Sequence, residues 1–248
     1  MEKILQDRVF NLLMEKQFAT VEQLAETLNV SQSTIRRKLA SLKEAGLVIR
    51  KHGGASLADS VNYCPSFSFR MHKQTLEKRQ IAIKALKLIN NGNLIFLDSS
   101  STSNYIAEYL SEFDNLRVIT NGIDTLMLLA KNKMVAYSTG GKISSANNTA
   151  LIGDNAVQDV CSFYADICFV SASSVTENGD VFDYFEDENV IRRHMTENSM
   201  IKVLLVDYTK FGKKGQFKLG NVNDFDYVVT DKEQKDFFKI PIKTKIIF

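Results

Sequence analysis

Past residue 90 the chain returns repeatedly to short, dense apolar runs: LIFL at 94–97, LRVIT at 116–120, MVAYST at 134–139, DICFVSA at 166–172 and KVLLVD at 202–207. Helix-like segments separate them, over residues 77–89, 102–110, 123–130 and 155–160, with a long polar helix over 188–198. Strands that are apolar throughout, rather than alternating, are strands buried on both faces. The pattern predicts an α/β domain whose mostly parallel sheet is covered by helices. At 248 residues and 44% hydrophobic, there is material for one large domain or for a medium one with a small companion.

The N-terminal residues read differently. Ile4, Leu5, Val9, Leu12 and Leu13 line one face of a helix over 3–16. Thr20 with Gln23 fits a capping box, and Val21, Leu24, Ala25 and Leu28 stripe a second, short helix ending near Asn29. Ser31 is a suitable N-cap for a third, in which Ile35, Leu39 and Leu42 recur at helical spacing until Gly46 ends it. Two short helices joined by a tight turn form a helix-turn-helix, whose second helix enters the major groove of double-stranded DNA. With the apolar positions turned inward, the start and outer face of the third helix carry Ser31, Gln32, Ser33, Thr34, Arg36, Arg37 and Lys38. Arginine grips guanine, and glutamine adenine, with paired hydrogen bonds, while serine and threonine reach bases or phosphates. A solvated charged helix face is the bland alternative.

Charge supports the DNA reading. Between Ser31 and His52 stand Arg36, Arg37, Lys38, Lys43, Arg50 and Lys51 against Glu44 alone, in a chain whose net charge is +2. Leu47, Val48 and Ile49 read as a strand, and Arg50, Lys51 and His52 lead into Gly53 and Gly54, a basic hairpin wing. The two glycines would allow a tight turn and close approach to a sugar-phosphate backbone. Residues 31–55 contain no Phe, Tyr or Trp, so the stacking platform of an RNA reader has no basis here. No run of 18 apolar residues and no signal peptide is visible, which predicts a cytoplasmic protein without a membrane partner. Cys64, Cys161 and Cys168 show no metal or disulfide spacing and read as reduced thiols filling space.

Ligands of such sheets bind beyond the carboxyl ends of the strands. Asp98, Ser99, Ser100, Ser101 and Thr102 follow the first strand, Thr120, Asn121 and Gly122 the second, and Gly140, Gly141 and Lys142 the third. These loops offer hydroxyls and backbone N–H groups to an anion, and they are equally the residues that ordinary N-caps and turns select. The acidic residues Asp180, Asp183, Glu186, Asp187 and Glu188 read as a solvated loop and helix N-terminus, with a general base among them as the alternative.

The stretch VSQSTIRRKLASLKEAGLVIRKHGGA, Val30 to Ala55, resembles the N-terminal signature of DeoR-family transcription regulators, above all in STIRR and HGGA. DSSST, TNG, TGGK and DYTKFG then occur in the order of that family's effector domain, so the resemblance spans nearly the whole chain. Residues 58–73, polar, without periodicity and containing Pro65, read as a linker between domains over 1–57 and 74–248; the resemblance implies a winged helix-turn-helix for the first and an effector-sensing domain resembling ribose-5-phosphate isomerase for the second. It further implies a repressor controlled by a phosphorylated sugar or related metabolite, with no cofactor. By this analogy Asp98 to Thr102 cradle the phosphate, with Thr120, Asn121, Gly140, Gly141 and Lys142 lining the site. Glu188 is followed by Arg192 where many relatives carry Lys, and Lys210 in TKFG is either a ligand group or a solvated lysine. Lys38 stands where the family usually has an acid. A single winged helix makes few DNA contacts, so a homo-oligomer on repeated half-sites is expected. The competing reading is an isomerase-like enzyme with a DNA-binding appendage. Against it, Ser171, Ala172, Ser173 and Ser174 stand where isomerases would offer carboxylates, and no HExxH, Walker or GxGxxG pattern occurs.

Overall fold

The computed structural model describes residues 2–44, 46–58 and 66–248. They divide into two compact units, Met1–Thr75 and Leu76–Phe248.

The first unit follows from local signals. Helix α1 (Glu2–Lys16) is followed by a short strand β1 (Phe18–Thr20), then α2 (Val21–Leu28) and α3 (Gln32–Glu44). Thr20 caps α2 through a complete capping box with Gln23, and Asn29 ends that helix in the left-handed conformation at φ 52°. Strands β2 (Val48–Lys51) and β3 (Gly54–Leu57) form the hairpin, with Lys51 opposite Gly54 and the turn at His52 and Gly53. Sequence reasoning missed β1, which pairs antiparallel with β3 and completes a three-stranded sheet. This pairing reassigns one glycine. A Cβ on Gly54 would lie 2.3 Å from the Ala19 carbonyl oxygen, so the residue is small because β1 packs on it. Gly53 faces open space at φ +72° and supplies the turn.

Part of the expected linker is structured. Helix α4 (Phe67–His72) is capped by Ser66 and buries Phe69 in the core of the first unit, edge-on to Phe10 at 5.2 Å. Periodicity could not reveal so short a helix. Phe10, not singled out from the sequence, is fully buried beside Val9 and Leu13, whereas Leu5 and Leu12 are only partly covered. Pro65, Cys64 and the Ile4 side chain lie outside the described residues.

The second unit begins with α5 (Thr75–Leu86) and alternates as expected: β4 (Leu94–Leu97), α6 (Ser101–Ala107), β5 (Arg117–Thr120), α7 (Ile123–Lys131) and β6 (Val135–Ser138). A hairpin of β7 (Lys142–Ile143) and β8 (Leu151–Ile152) leads to α8 (Asp154–Cys161) and β9 (Ala165–Ser171). After β9 come β10 (Ser174–Val175), β11 (Asp180–Asp183), α9 (Glu186–Glu197), β12 (Ser199–Leu205), β13 (Phe217–Asn221), β14 (Tyr227–Val229) and β15 (Lys245–Ile247). The main sheet has the order β15-β14-β12-β9-β4-β5-β6, and every neighbouring pair is parallel. A small antiparallel sheet, β10-β11-β13, was not foreseen; its strands of two to five residues are too short for a clear alternation.

Strand order reverses between β4 and β9, so the topological switch point falls where Asp98 and Ala172 leave the sheet. One face of the sheet is filled by Phe96, Ile119, Cys168, Val170 and Leu204 against Ala156 and Val160 of α8 and Ile191 and Met195 of α9. Burial pushes the Cys168 thiol up, keeping it protonated, whereas Cys161 is exposed and fills no space in the core.

Candidate functional site

On α3 the Ser31 hydroxyl accepts from the Thr34 N–H at 3.2 Å and contacts the Ser33 and Thr34 hydroxyls. Gln32, Ser33, Arg36 and Arg37 are exposed, and Arg36 donates to the Gln32 side chain at 3.2 Å, one turn away. The two side chains expected to read bases thus share one ridge of the helix. Thr34 is half-buried. Lys38 departs from expectation: it is only 7% exposed, turned toward the side that carries Ile35, Leu39 and Leu42. Its position three residues after Ile35 places it at the edge of the apolar stripe, where a lysine stem packs. On the wing, Lys51, His52 and Gly53 are exposed and Arg50 is half-buried.

At the switch point the structure gathers charges that the sequence scatters over almost a hundred positions. Arg192 of α9, 3% exposed, donates from Nε to Asp98 Oδ2 at 2.7 Å and from Nη2 to Glu188 Oε2 at 3.1 Å, and its Nη1 forms an ion pair with Asp183 Oδ2 at 2.8 Å. It also reaches Asn189 Oδ1 at 3.2 Å. Burial works against this cation, but the attraction of Asp183, then of Asp98 and Glu188, outweighs it and holds the guanidinium protonated. Asp98 is itself saturated. Its Oδ1 accepts from Ser100 N–H and Ser103 Oγ, and its Oδ2 accepts from Ser171 N–H as well as from Arg192.

From Glu188 a hydrogen-bond relay runs outward. Its Oε1 accepts from Asn147 Nδ2 at 2.9 Å, and its Oε2 from Ser99 Oγ at 3.1 Å. Ser99 Oγ in turn accepts from Asn121 Nδ2 at 3.4 Å, and the same Nδ2 donates to the Leu151 carbonyl at 3.1 Å. Asn147 Oδ1 accepts from Thr149 Oγ1. The Oδ1 of Asn121 is buried and has no hydrogen-bond partner among the described residues.

Among the expected effector residues, Asp98, Ser99, Asn121, Glu188 and Arg192 therefore form one network. Ser100 belongs to it as the N-cap of α6, and Thr102 accepts from Ser171 Oγ at 3.4 Å. Ser101 opens α6 and is buried, and Thr120 Oγ1 accepts from the Gly122 N–H at 3.0 Å. Gly140 and Gly141 stand at φ +58° and +89°; a Cβ on Gly141 would meet the Ile152 carbonyl oxygen at 2.5 Å. Lys142 stands outside the network, beside a cleft of about 250 Å³ that it lines with Gly153, Asp154 and Asp187. Lys210 closes a short 3-10 turn after β12 and joins none of these bonds.

The acidic segment divides. Asp180, Glu186 and Asp187 stay at the surface or near it, but Asp183 and Glu188 are buried ligands of Arg192, not solvated charges. Asp183, Asn147 and Asn189 were not foreseen as site residues. The i,i+4 spacing of Glu188 and Arg192 was the available signal for one pair only.

The sequence matches the DeoR C terminal sensor domain over residues 73–232 and the DeoR-like helix-turn-helix domain over residues 6–61. It is 32% identical over 231 residues to the HTH-type transcriptional regulator GolR of Listeria innocua, covering 92% of this chain and 90% of that protein. The glycerol-3-phosphate regulon repressor of Escherichia coli is 31% identical over 224 residues, covering 90% of this chain and 88% of that one. Among solved structures, ribose 5-phosphate isomerase A of Methanocaldococcus jannaschii shares 20% identity at a TM-score of 0.42, over 55% of this chain and 54% of the other. The curated relatives are transcriptional regulators and repressors, so the isomerase-like reading is not favoured. With both of its units matched and its relatives aligned almost end to end, the chain belongs to the DeoR family of DNA-binding transcription regulators.

Proposed function

We propose that this regulator is a cytoplasmic repressor that leaves its operator when a phosphorylated sugar or related metabolite binds at the switch point of the second unit. The observation that carries the reading is the buried polar network of Asp98, Ser99, Asn121, Glu188 and Arg192 at the carboxyl ends of β4 and β5. Polar groups placed there, at a cost in desolvation, are what a ligand site in a parallel sheet requires. Ser100 N–H is taken by Asp98 and Ser103 N–H by Ser100 Oγ, which leaves the first-turn amides of Ser101 and Thr102 to meet the phosphate. Asp98 and Arg192 position this loop rather than bind the ligand, because each already holds the other. Among the described residues no helix is long and apolar enough to cross a membrane.

On DNA, Gln32, Ser33, Thr34, Arg36 and Arg37 read base edges from α3, while Ser31, Arg50, Lys51, His52 and Gly53 hold the backbone. Two such units on repeated half-sites, joined in a homo-oligomer, supply the contacts that one winged helix lacks. The effector acts by binding the DNA-incompetent state more tightly, and the shift cannot exceed that difference in affinity.

Footprinting upstream of the protein's own gene, with and without a panel of sugar phosphates, tests the reading. Protection of a repeated site that one sugar phosphate releases is the expected result. Protection that no sugar phosphate alters removes the effector reading, and no protection at low salt removes the repressor reading.

A further inference from the structure

Asn121 sits at the end of β5 with its two polar ends in unlike situations. Its Nδ2 is engaged twice, to the Leu151 carbonyl and to Ser99 Oγ, while its Oδ1 is buried without a partner among the described residues. The amide cannot be turned round to relieve this. Leu151 contributes a carbonyl, which only accepts, so the nitrogen must face it. The Ser99 hydrogen is committed in the other direction, to the Glu188 carboxylate, whose charge is held by Arg192. Both ends of the relay are thus acceptors of fixed identity, and the direction of every bond between them follows. The one atom left over is an acceptor. Around it the network offers more acceptors than donors, with three carboxylates to one guanidinium.

A buried carbonyl oxygen left without a donor carries a desolvation cost that no bond returns. A group that ends this cost must donate a hydrogen bond, and a phosphate dianion or a ketone cannot. A hydroxyl can. We infer that Asn121 is a specificity determinant for the effector, its Oδ1 accepting a hydrogen bond from a ligand hydroxyl while the phosphate is held elsewhere in the site. The ligand class is then a polyhydroxy phosphate, with discrimination against the analogue that lacks the hydroxyl in question. This inference rests on the effector reading above.

The experiment is calorimetric titration of the full chain with ribose 5-phosphate, fructose 6-phosphate, glycerol 3-phosphate and inorganic phosphate. The tightest-binding probe is then compared with each of its mono-deoxy analogues. In the wild-type protein one analogue should bind about tenfold more weakly, the equivalent of one net hydrogen bond. In Asn121→Ala the parent compound and that analogue should bind equally. Asn121→Leu, which withdraws the acceptor but keeps a side chain of similar size, serves the same purpose where Asn121→Ala does not fold. Discrimination retained in a folded Asn121 variant, or absent from the wild-type protein, overturns the assignment and leaves the effector reading standing. Failure of every sugar phosphate to bind better than inorganic phosphate overturns both.

Discussion

Replacing Arg192 with Met tests the network most directly, because it removes the one cation and keeps the stem. Asp98 is fully buried, Glu188 is 3% exposed and Asp183 8% exposed, so the variant leaves three carboxylates in a dry site without a counter-charge. Their other bonds survive: Ser171 N–H and Ser103 Oγ to Asp98, Asn147 to Glu188, and the Tyr184 N–H to Asp183. Removing one partner of a buried ion pair costs about 3–5 kcal/mol. With three anions sharing one partner, the upper part of that range applies, and it is a large share of a domain stability of about 5–15 kcal/mol. For a unit of this size the melting temperature should fall by roughly 10–20 °C. Thermal melts of wild type and variant, followed by circular dichroism, read the loss. A loss below about 1 kcal/mol would refute the view that Arg192 holds this site together. Arg192→Lys should fall between the two, since an ammonium keeps the charge but cannot reach three carboxylates in one plane.

Three further outcomes are expected. Gly141→Ala places a Cβ 2.5 Å from the Ile152 carbonyl oxygen and 2.9 Å from the Ala156 Cβ at φ +89°, and should cost about 2–4 kcal/mol in a chemical denaturation curve. Arg36→Ala or Lys51→Ala should weaken operator binding, with a shallower salt dependence wherever a phosphate contact is lost, whereas Lys38→Ala should leave the slope unchanged; a gel-shift salt series separates them. Gly54→Ala should destabilise the first unit far more than Gly53→Ala, because only Gly54 has backbone, at 2.3 Å, where the new methyl would go; equal melting shifts would contradict the close packing of β1 on β3.

What was legible in the sequence is what depends on near neighbours. The capping box of Thr20 and Gln23, the apolar stripe of Ile35, Leu39 and Leu42, and the apolar runs that became β4, β5, β9 and β12 are decided within a few residues, and they appear as read. Strand β1 is three residues long and leaves no period to detect. The real reason for Gly54 lies in a strand more than thirty residues earlier, so the hairpin alone suggested a DNA-facing role instead. The acidic segment shows the same limit in electrostatics. Whether Asp183 and Glu188 are solvated or buried turns on Arg192 meeting Asp98, a pairing across 94 positions that only the parallel β4–β9 contact brings about. A carboxylate's environment is set by its partners, and distant partners have no local signature.

The same geometry bears on whether this site could convert a bound ligand. An aldose–ketose isomerase needs a carboxylate free to take a proton from carbon, with a basicity near that of the working pH. Glu188 is the natural candidate, yet both of its oxygens are engaged, by Asn147 on one and by Ser99 and Arg192 on the other. Asp98 has four donors on its two oxygens. The serines that follow β9 are spent on backbone, Ser171 on the Leu205 carbonyl and Ser173 on the Phe182 carbonyl. No group in this network is poised to move a proton, but every group is tied to another element: Asp98 to β4, Asp183 to β11, Glu188 and Arg192 to α9, and Asn147 to the β7–β8 hairpin. A hydroxyl donated to Asn121 would polarise the relay from its free end, through Ser99 to Glu188 and the arginine that binds the rest. Occupancy would thus be felt at the ends of several strands and of α9 together, a coupling that a signal requires and that a reaction does not.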